Sequence, residues 1–226
     1  MKPRTIVIGD IHGCATALQT VLKSVDPQPV DTVITLGDYV DRGPQSFDVV
    51  QTLVKLSSNC QVIPLLGNHE LMMLQAPESP GEMEFWLSCG GEATLRSYRG
   101  SLDNVPAEHW EFFESCRRHH EIDTHFFVHA NYVHNVSLDE QPDHVLLWEH
   151  IGPSVPPPHQ NGKIAVVGHT PQVDGAVRDL GHLILLDTYC FGGMWLTALD
   201  LTNGVVYQAN EDEEVYEEEV PRSRQR

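Results

Sequence analysis

The sequence predicts an α/β fold in which two mixed β-sheets form a layered sandwich flanked by helices. Three observations predict it. The N-terminal third holds three short apolar runs, 5–8, 32–36 and 62–66, rich in β-branched side chains and closed by Gly9, Gly37 and Gly67. The first two runs are each followed by a segment whose apolar residues recur three and four apart. Five more apolar runs occupy the C-terminal half, the last three too close together to be joined by helices.

Thr5-Ile6-Val7-Ile8 reads as a buried strand, and residues 14–25 follow with Ala17, Leu18, Val21, Leu22 and Val25 on one helical face. After the second strand, residues 44–56 repeat the pattern with Val49, Val50, Leu53 and Leu56, and Pro44 suits a first helical turn. Two such units imply parallel strands with right-handed crossovers. A helical insert is expected over about 70–121, with helices at 83–89, 92–98 and 107–120 punctuated by Pro77, Pro80, Gly90, Gly91 and Pro106. Strands return at 126–128, 164–167, 183–186, 195–199 and 205–207, the last three as antiparallel hairpins. The proline-rich stretch 139–160 is expected to be the most mobile loop. One domain therefore spans 1–210. Residues 211–219 carry seven acidic side chains, and 211–226 read as an acidic, then basic, solvated tail.

At 226 residues the chain can bury a continuous core without disulfide staples. Its five cysteines, Cys14, Cys60, Cys89, Cys116 and Cys190, are scattered with no CxxC spacing and read as reduced thiols packed in the core. No apolar stretch approaches the roughly 20 residues of a membrane-spanning helix, so no membrane partner and a cytoplasmic location are expected. A formal net charge of −18 excludes a general nucleic-acid binder, which needs clustered Lys and Arg. Nothing in the sequence specifies an oligomeric state.

Polar motifs sit where strands end. Gly9-Asp10-Ile11-His12-Gly13, Gly37-Asp38-Tyr39-Val40-Asp41-Arg42-Gly43 and Gly67-Asn68-His69-Glu70 follow the first three runs, and Val128-His129-Ala130 and Gly168-His169-Thr170 follow two later ones. Open α/β sheets gather ligands outside the carboxyl ends of their strands. Carboxylate, amide and imidazole donors suit a divalent ion such as manganese, iron or zinc. Singly, Gly-Asp is a common turn and a lone His after a strand a common packing residue; the five motifs in fixed order are what is specific. The other nine histidines have no ligand spacing, and no third metal is expected.

Together these motifs resemble those of the calcineurin-like metallophosphoesterases. Tyr39, Asp41, Arg42 and Glu70 make them most similar to the phosphoprotein phosphatase branch with its small bacterial and phage serine/threonine phosphatases. The segment 86–98, Trp…Gly-Gly…Thr-Leu…Ser-Tyr, is similar to the small bacterial members. The resemblance implies two divalent metal ions, Mn2+ above all with Fe or Zn fitting the same donors: Asp10, His12 and Asp38 would hold one, and Asp38, Asn68, His129 and His169 the second. Asp38 would then bridge ions about 3.5–4 Å apart, which share a hydroxide that attacks phosphorus directly. It further implies that His69 is the general acid, oriented by Asp41. Arg42, with Asn68, would bind the phosphate, its planar fork matching two oxygens.

Two positions depart from that pattern. His150 stands where these phosphatases carry a second phosphate-binding Arg, so His150 itself, or Arg96 or Arg99, is the candidate for that role; Tyr189 stands where relatives carry Gly. The expected substrate is a phosphoprotein or small phosphate ester, with hydrolysis of phosphoserine and phosphothreonine in proteins as the leading expectation. A symmetrical dinucleoside polyphosphate hydrolase is the rival, although that family has an uncharged residue in place of Asp41 and Asp in place of Glu70. A regulatory module with a decayed site is disfavoured because every expected ligand is present.

Overall fold

The computed structural model describes residues 2–219. The first half runs β1 (Thr5–Ile8), α1 (Ala15–Val25), β2 (Thr32–Thr35), α2 (Ser46–Ser57) and β3 (Gln61–Pro64), then α3 (Asn68–Gln75), α4 (Pro80–Trp86), α5 (Glu92–Ser97) and α6 (Ala107–Glu114). The second half runs β4 (His119–Glu121), β5 (His125–Val128), α7 (Asp143–Trp148), β6 (Ile164–Val167), β7 (Arg178–Asp179), β8 (Leu183–Leu185), β9 (Leu196–Asp200), β10 (Val205–Ala209) and β11 (Val215–Glu219).

Two mixed sheets result. A six-stranded sheet has the order β11-β10-β9-β1-β2-β3, and a five-stranded sheet the order β4-β5-β6-β8-β7. β1, β2 and β3 pair in parallel, as do β5, β6 and β8; β9, β10 and β11 continue the first sheet antiparallel on the far side of β1, and β4 and β7 form the antiparallel edges of the second. Between the sheets pack Val7, Ile34, Leu36, Ile63 and Leu65 from one and Phe127, Val166, Ile184 and Leu186 from the other side. The opposite face of β1 and β2, through Ile6, Ile8 and Val33, meets Leu18 and Val21 of α1 and Val49, Val50 and Leu53 of α2. Phe126, Val128, Ala165 and Val167 likewise meet Leu146 and Leu147 of α7. Strands covered on both faces show no alternation, which is why they read as continuous apolar runs. Among the described residues, no helix is long and apolar enough to cross a membrane.

The structure corrects five local expectations. The helix expected over 107–120 stops at Glu114, because Arg117 pairs with β3 through Arg117 N to Pro64 O (2.9 Å) and Leu66 N to Arg117 O (2.8 Å), after which His119 and His120 join β4. α2 begins at Ser46 and not at Pro44, since Gly43 N and Gln45 N donate to His12 O and Gly13 O and tie 43–45 to the loop after β1. β8 and β9 do not form a hairpin: β8 pairs with β6 and β9 with β1, so the chain crosses from one sheet to the other between them. The stretch 139–160 contains α7 and is tied down, with Pro156 O accepting from His182 Nε2 (2.8 Å) and Pro157 O from the Tyr132 hydroxyl (3.1 Å). Finally, part of the acidic tail is ordered as β11, an exposed edge strand paired with β10. Its row of Glu side chains suits an edge, where charge opposes pairing with another chain. The basic end of that tail lies outside the described residues.

Candidate active site and metal centre

Every candidate ligand lies at the carboxyl end of a strand: Asp10 and His12 after β1, Asp38 after β2, Asn68 after β3, His129 after β5 and His169 after β6. The backbone there turns through left-handed conformations. His12, Asp38, Asp41, Arg42 and His169 have φ of 46°, 51°, 71°, 67° and 58°, each costing a non-glycine residue on the order of 1–3 kcal/mol. Surrounding contacts impose this: Ile11 N and His12 N both donate to Asp38 O, at 3.0 and 2.7 Å, and lock the first two loops together.

The donors form two clusters that share Asp38. Atoms of His12, Asp38 and His69 lie within 4.8 Å of one another, and so do atoms of Asp38, His129 and His169. Asn68 joins the second cluster, its Oδ1 lying 3.1 Å from His129 Nε2. The outer nitrogens of the rings are engaged elsewhere: His12 Nδ1 donates to Val40 O (2.9 Å) and His129 Nδ1 to Leu36 O (2.7 Å). Their Nε2 atoms are thereby turned to Asp38, at 3.2 and 3.4 Å. His169 instead places Nε2 against Trp148 O (3.1 Å), which frees Nδ1.

Asp10 is in neither cluster but borders the second, its Oδ2 accepting from His169 N at 2.9 Å. Its Oδ1 is buried with no hydrogen-bond partner among the described residues. A buried carboxylate oxygen without a donor is costly, and a cation would satisfy it. The residues present thus fit the divalent ions expected from the sequence.

The electrostatics agree. Burial raises Asp10 well above the ordinary carboxyl range, with Asp187 and Asp38 adding to the rise, and burial lifts Asp187 to about 7. Burial lowers His12 to about 4, His169 to about 3, and His129 as well, so these imidazoles are neutral at pH 7, the form that binds metals. Asp38 moves the other way: burial opposes its charge, but His129, His69 and His12 around it hold it well below the usual range.

His69 and Asp41 form a second constellation beside the clusters. His69 Nδ1 donates to Asp41 Oδ2 at 2.7 Å, which leaves Nε2 4.0 Å from Asp38 Oδ2. Burial opposes protonation of His69, but Asp38 and Asp41 prevail and raise its pKa. Asp41 is itself held from behind, its carboxylate accepting from Trp86 Nε1 (2.9 and 3.1 Å) and from the Thr94 hydroxyl (2.7 Å). Arg42 lays its guanidinium carbon 4.4 Å above the Phe191 ring and points Nη1 at His12 Nε2, 2.8 Å away. His150 is exposed and stacks on His169 with ring centroids 4.3 Å apart. Arg96 is exposed and pairs with Glu92 at 3.5 Å.

The calcineurin-like phosphoesterase family model matches residues 3–198. The chain belongs to that family. Among relatives of this metallophosphoesterase, serine/threonine-protein phosphatase 1 of Salmonella typhimurium is 32% identical over 143 residues, 56% of this chain and 58% of that protein. A symmetrical bis(5'-nucleosyl)-tetraphosphatase of Baumannia cicadellinicola is 44% identical over 71 residues, 31% of this chain and 24% of that protein. The matched segments thus span less than two thirds of either relative. A cold-active protein-tyrosine phosphatase of a Shewanella species superimposes with a TM-score of 0.71 at 17% identity, covering 95% of this chain and 80% of that one, a likeness of fold.

Three residues of this metallophosphoesterase were not read as site residues from sequence. Trp86 supports Asp41 through its indole N–H. The signal was present in Gly90-Gly91: a Cβ on Gly91 would come within 2.6 Å of the Trp86 ring, and Gly90, at φ 113°, lets its carbonyl reach Arg42 N. Asp187 lies buried among the carboxylates at the turn where the chain crosses between sheets, and Glu70 braces the Asp38 loop. Replacing Trp86 with Phe keeps the ring but removes the bonds to a buried carboxylate, worth about 1.5 kcal/mol. We expect kcat to fall about tenfold with KM little changed, as steady-state kinetics would show; an unchanged kcat would count against a supporting role for the indole.

Proposed function

We propose that this metallophosphoesterase hydrolyses phosphomonoesters, with phosphoserine and phosphothreonine of proteins as its substrate class. The observation that carries the reading is the 2.7 Å bond between His69 Nδ1 and a buried Asp41 carboxylate. An alkoxide leaves poorly unless a proton reaches it, and a carboxylate behind an imidazole holds that proton at Nε2. Asp10, His12 and Asp38 would hold one divalent ion and Asp38, Asn68, His129 and His169 the other. Such ions supply an activated hydroxide and offset charge on the phosphoryl oxygens. Arg42, with its fork packed on Phe191, and Asn68 would orient the phosphate, with His150 at the rim as a further donor when protonated.

A second reading, hydrolysis of symmetrical dinucleoside polyphosphates, is favoured by the 44% identity to the tetraphosphatase over 71 residues and by His150 in place of an arginine. The two are separated by turnover with manganese of a phosphoserine peptide and of diadenosine tetraphosphate. Faster turnover of the peptide is the expected result. Preference for the dinucleotide would replace the first reading with the second, and no turnover with any divalent metal would sink both.

A further inference from the structure

Among the described residues, one group of metal-ligating side chains lies outside the candidate active site. The sulfurs of Cys14 and Cys190 and a carboxylate oxygen of Glu211 all lie within 4.8 Å of one another. The three residues come from separate parts of the fold: Cys14 caps the start of α1, Cys190 sits in the crossing between β8 and β9, and Glu211 follows β10. Both thiols are buried and Glu211 is exposed, so the group opens to solvent at the carboxylate.

Core packing accounts for two small buried thiols. It does not account for a carboxylate held against them. Glu211 is held, since its Oε1 accepts from Ala17 N at 2.9 Å in the first turn of α1, and a carboxylate keeps further lone pairs for a cation. We propose that Cys14, Cys190 and Glu211 form a site for a thiophilic divalent cation of the zinc type, separate from the candidate two-metal centre. Tetrahedral zinc with sulfur ligands at about 2.3 Å brings the sulfurs to about 3.8 Å apart, a spacing the group reaches with little movement. Two thiolates and one carboxylate select zinc over magnesium, calcium or manganese, which prefer oxygen. Binding releases the two thiol protons to solvent and leaves a fourth position to water on the exposed side. Because Cys14 stands two residues after His12 and its thiol donates to His12 O at 3.6 Å, the ion would staple the His12 loop to the crossing strand and to the chain after β10.

The test is cobalt(II) titration of the metal-free, reduced, full-length protein. Thiolate-to-cobalt charge transfer in the near ultraviolet should level off at the intensity of one thiolate-bound cobalt per chain, however many ions the candidate active site takes up, and vanish when zinc is added. The oxygen and nitrogen donors of the candidate active site give no such band, so the readout is independent of catalysis. Cys190→Ser should abolish the band, Glu211→Gln should weaken cobalt affinity at least about tenfold, and Cys89→Ser should leave both unchanged. Absence of the band in the wild-type protein, which needs no variant to fold, overturns the proposal. So does a band that survives in Cys190→Ser.

Discussion

His69→Asn should lower kcat on a phosphoserine peptide by about 10²–10⁴-fold, the range for removal of a positioned proton donor, while p-nitrophenyl phosphate loses far less. The difference follows from the leaving groups: nitrophenolate departs unprotonated, whereas a serine alkoxide does not. Asparagine preserves the hydrogen bond to Asp41 that Nδ1 now makes at 2.7 Å, but carries no proton to where Nε2 stands. Metal content, read by elemental analysis, should stay unchanged, because His69 is braced by Asp41 and stands 4.0 Å from Asp38, whereas His12 approaches it to 3.2 Å. Equal losses on the two substrates would instead assign His69 to phosphate or metal binding. Loss of metal would do the same, and would make His69 a ligand of the cluster it shares with His12 and Asp38.

What the sequence revealed were the features encoded locally. A buried strand, its closing glycine and the polar residues after it are contiguous, so Asp10, His12, Asp38, Asn68, His129 and His169 could each be given the same address, and the structure brings all six to one end of the sandwich. What remained hidden depends on contacts distant in the chain. Trp86 and Thr94 reach Asp41 from 45 and 53 residues away, and nothing within α4 or α5 distinguishes an indole that packs from one that donates. Strand partners are hidden for the same reason. Leu183–Leu185 is a short apolar run that could pair with either neighbour, and its choice of β6 is set by packing between the sheets, through Ile184 against the inter-sheet core. β11 shows a partner overriding composition: five exposed residues, three of them Glu, become a strand because β10 presents an open edge at Val205–Ala209.

Glu70 is the residue whose replacement should most affect stability. Its Oε2 accepts from Asp38 N (2.7 Å) and Gly67 N (3.1 Å), and its Oε1 from Tyr39 N (2.7 Å) and Val40 N (3.2 Å). One buried carboxylate therefore satisfies four backbone donors from two loops and fixes the left-handed turn at Asp38. Burial and the charge of Asp38 push its pKa up, while His69 and the backbone donors around it favour the charged form. Four N–H groups aimed at two oxygens leave no position for a carboxyl proton, and this geometry argues that Glu70 is ionised in the folded chain. Glu70→Gln distinguishes the two states. A protonated Glu70 would be mimicked by the amide with little change, whereas an ionised one would be replaced by a group whose NH2 faces two backbone N–H donors in either orientation. Leaving those donors buried without an acceptor costs about 3 kcal/mol, roughly 6–12 °C in Tm for a chain of this size. Denaturant unfolding of the metal-free variant should show that loss, and with the Asp38 turn released, divalent metal should bind more weakly. A change below about 0.5 kcal/mol, the range of neutral surface substitutions, would mean that Glu70 carries a proton and that the loop owes its shape to other contacts.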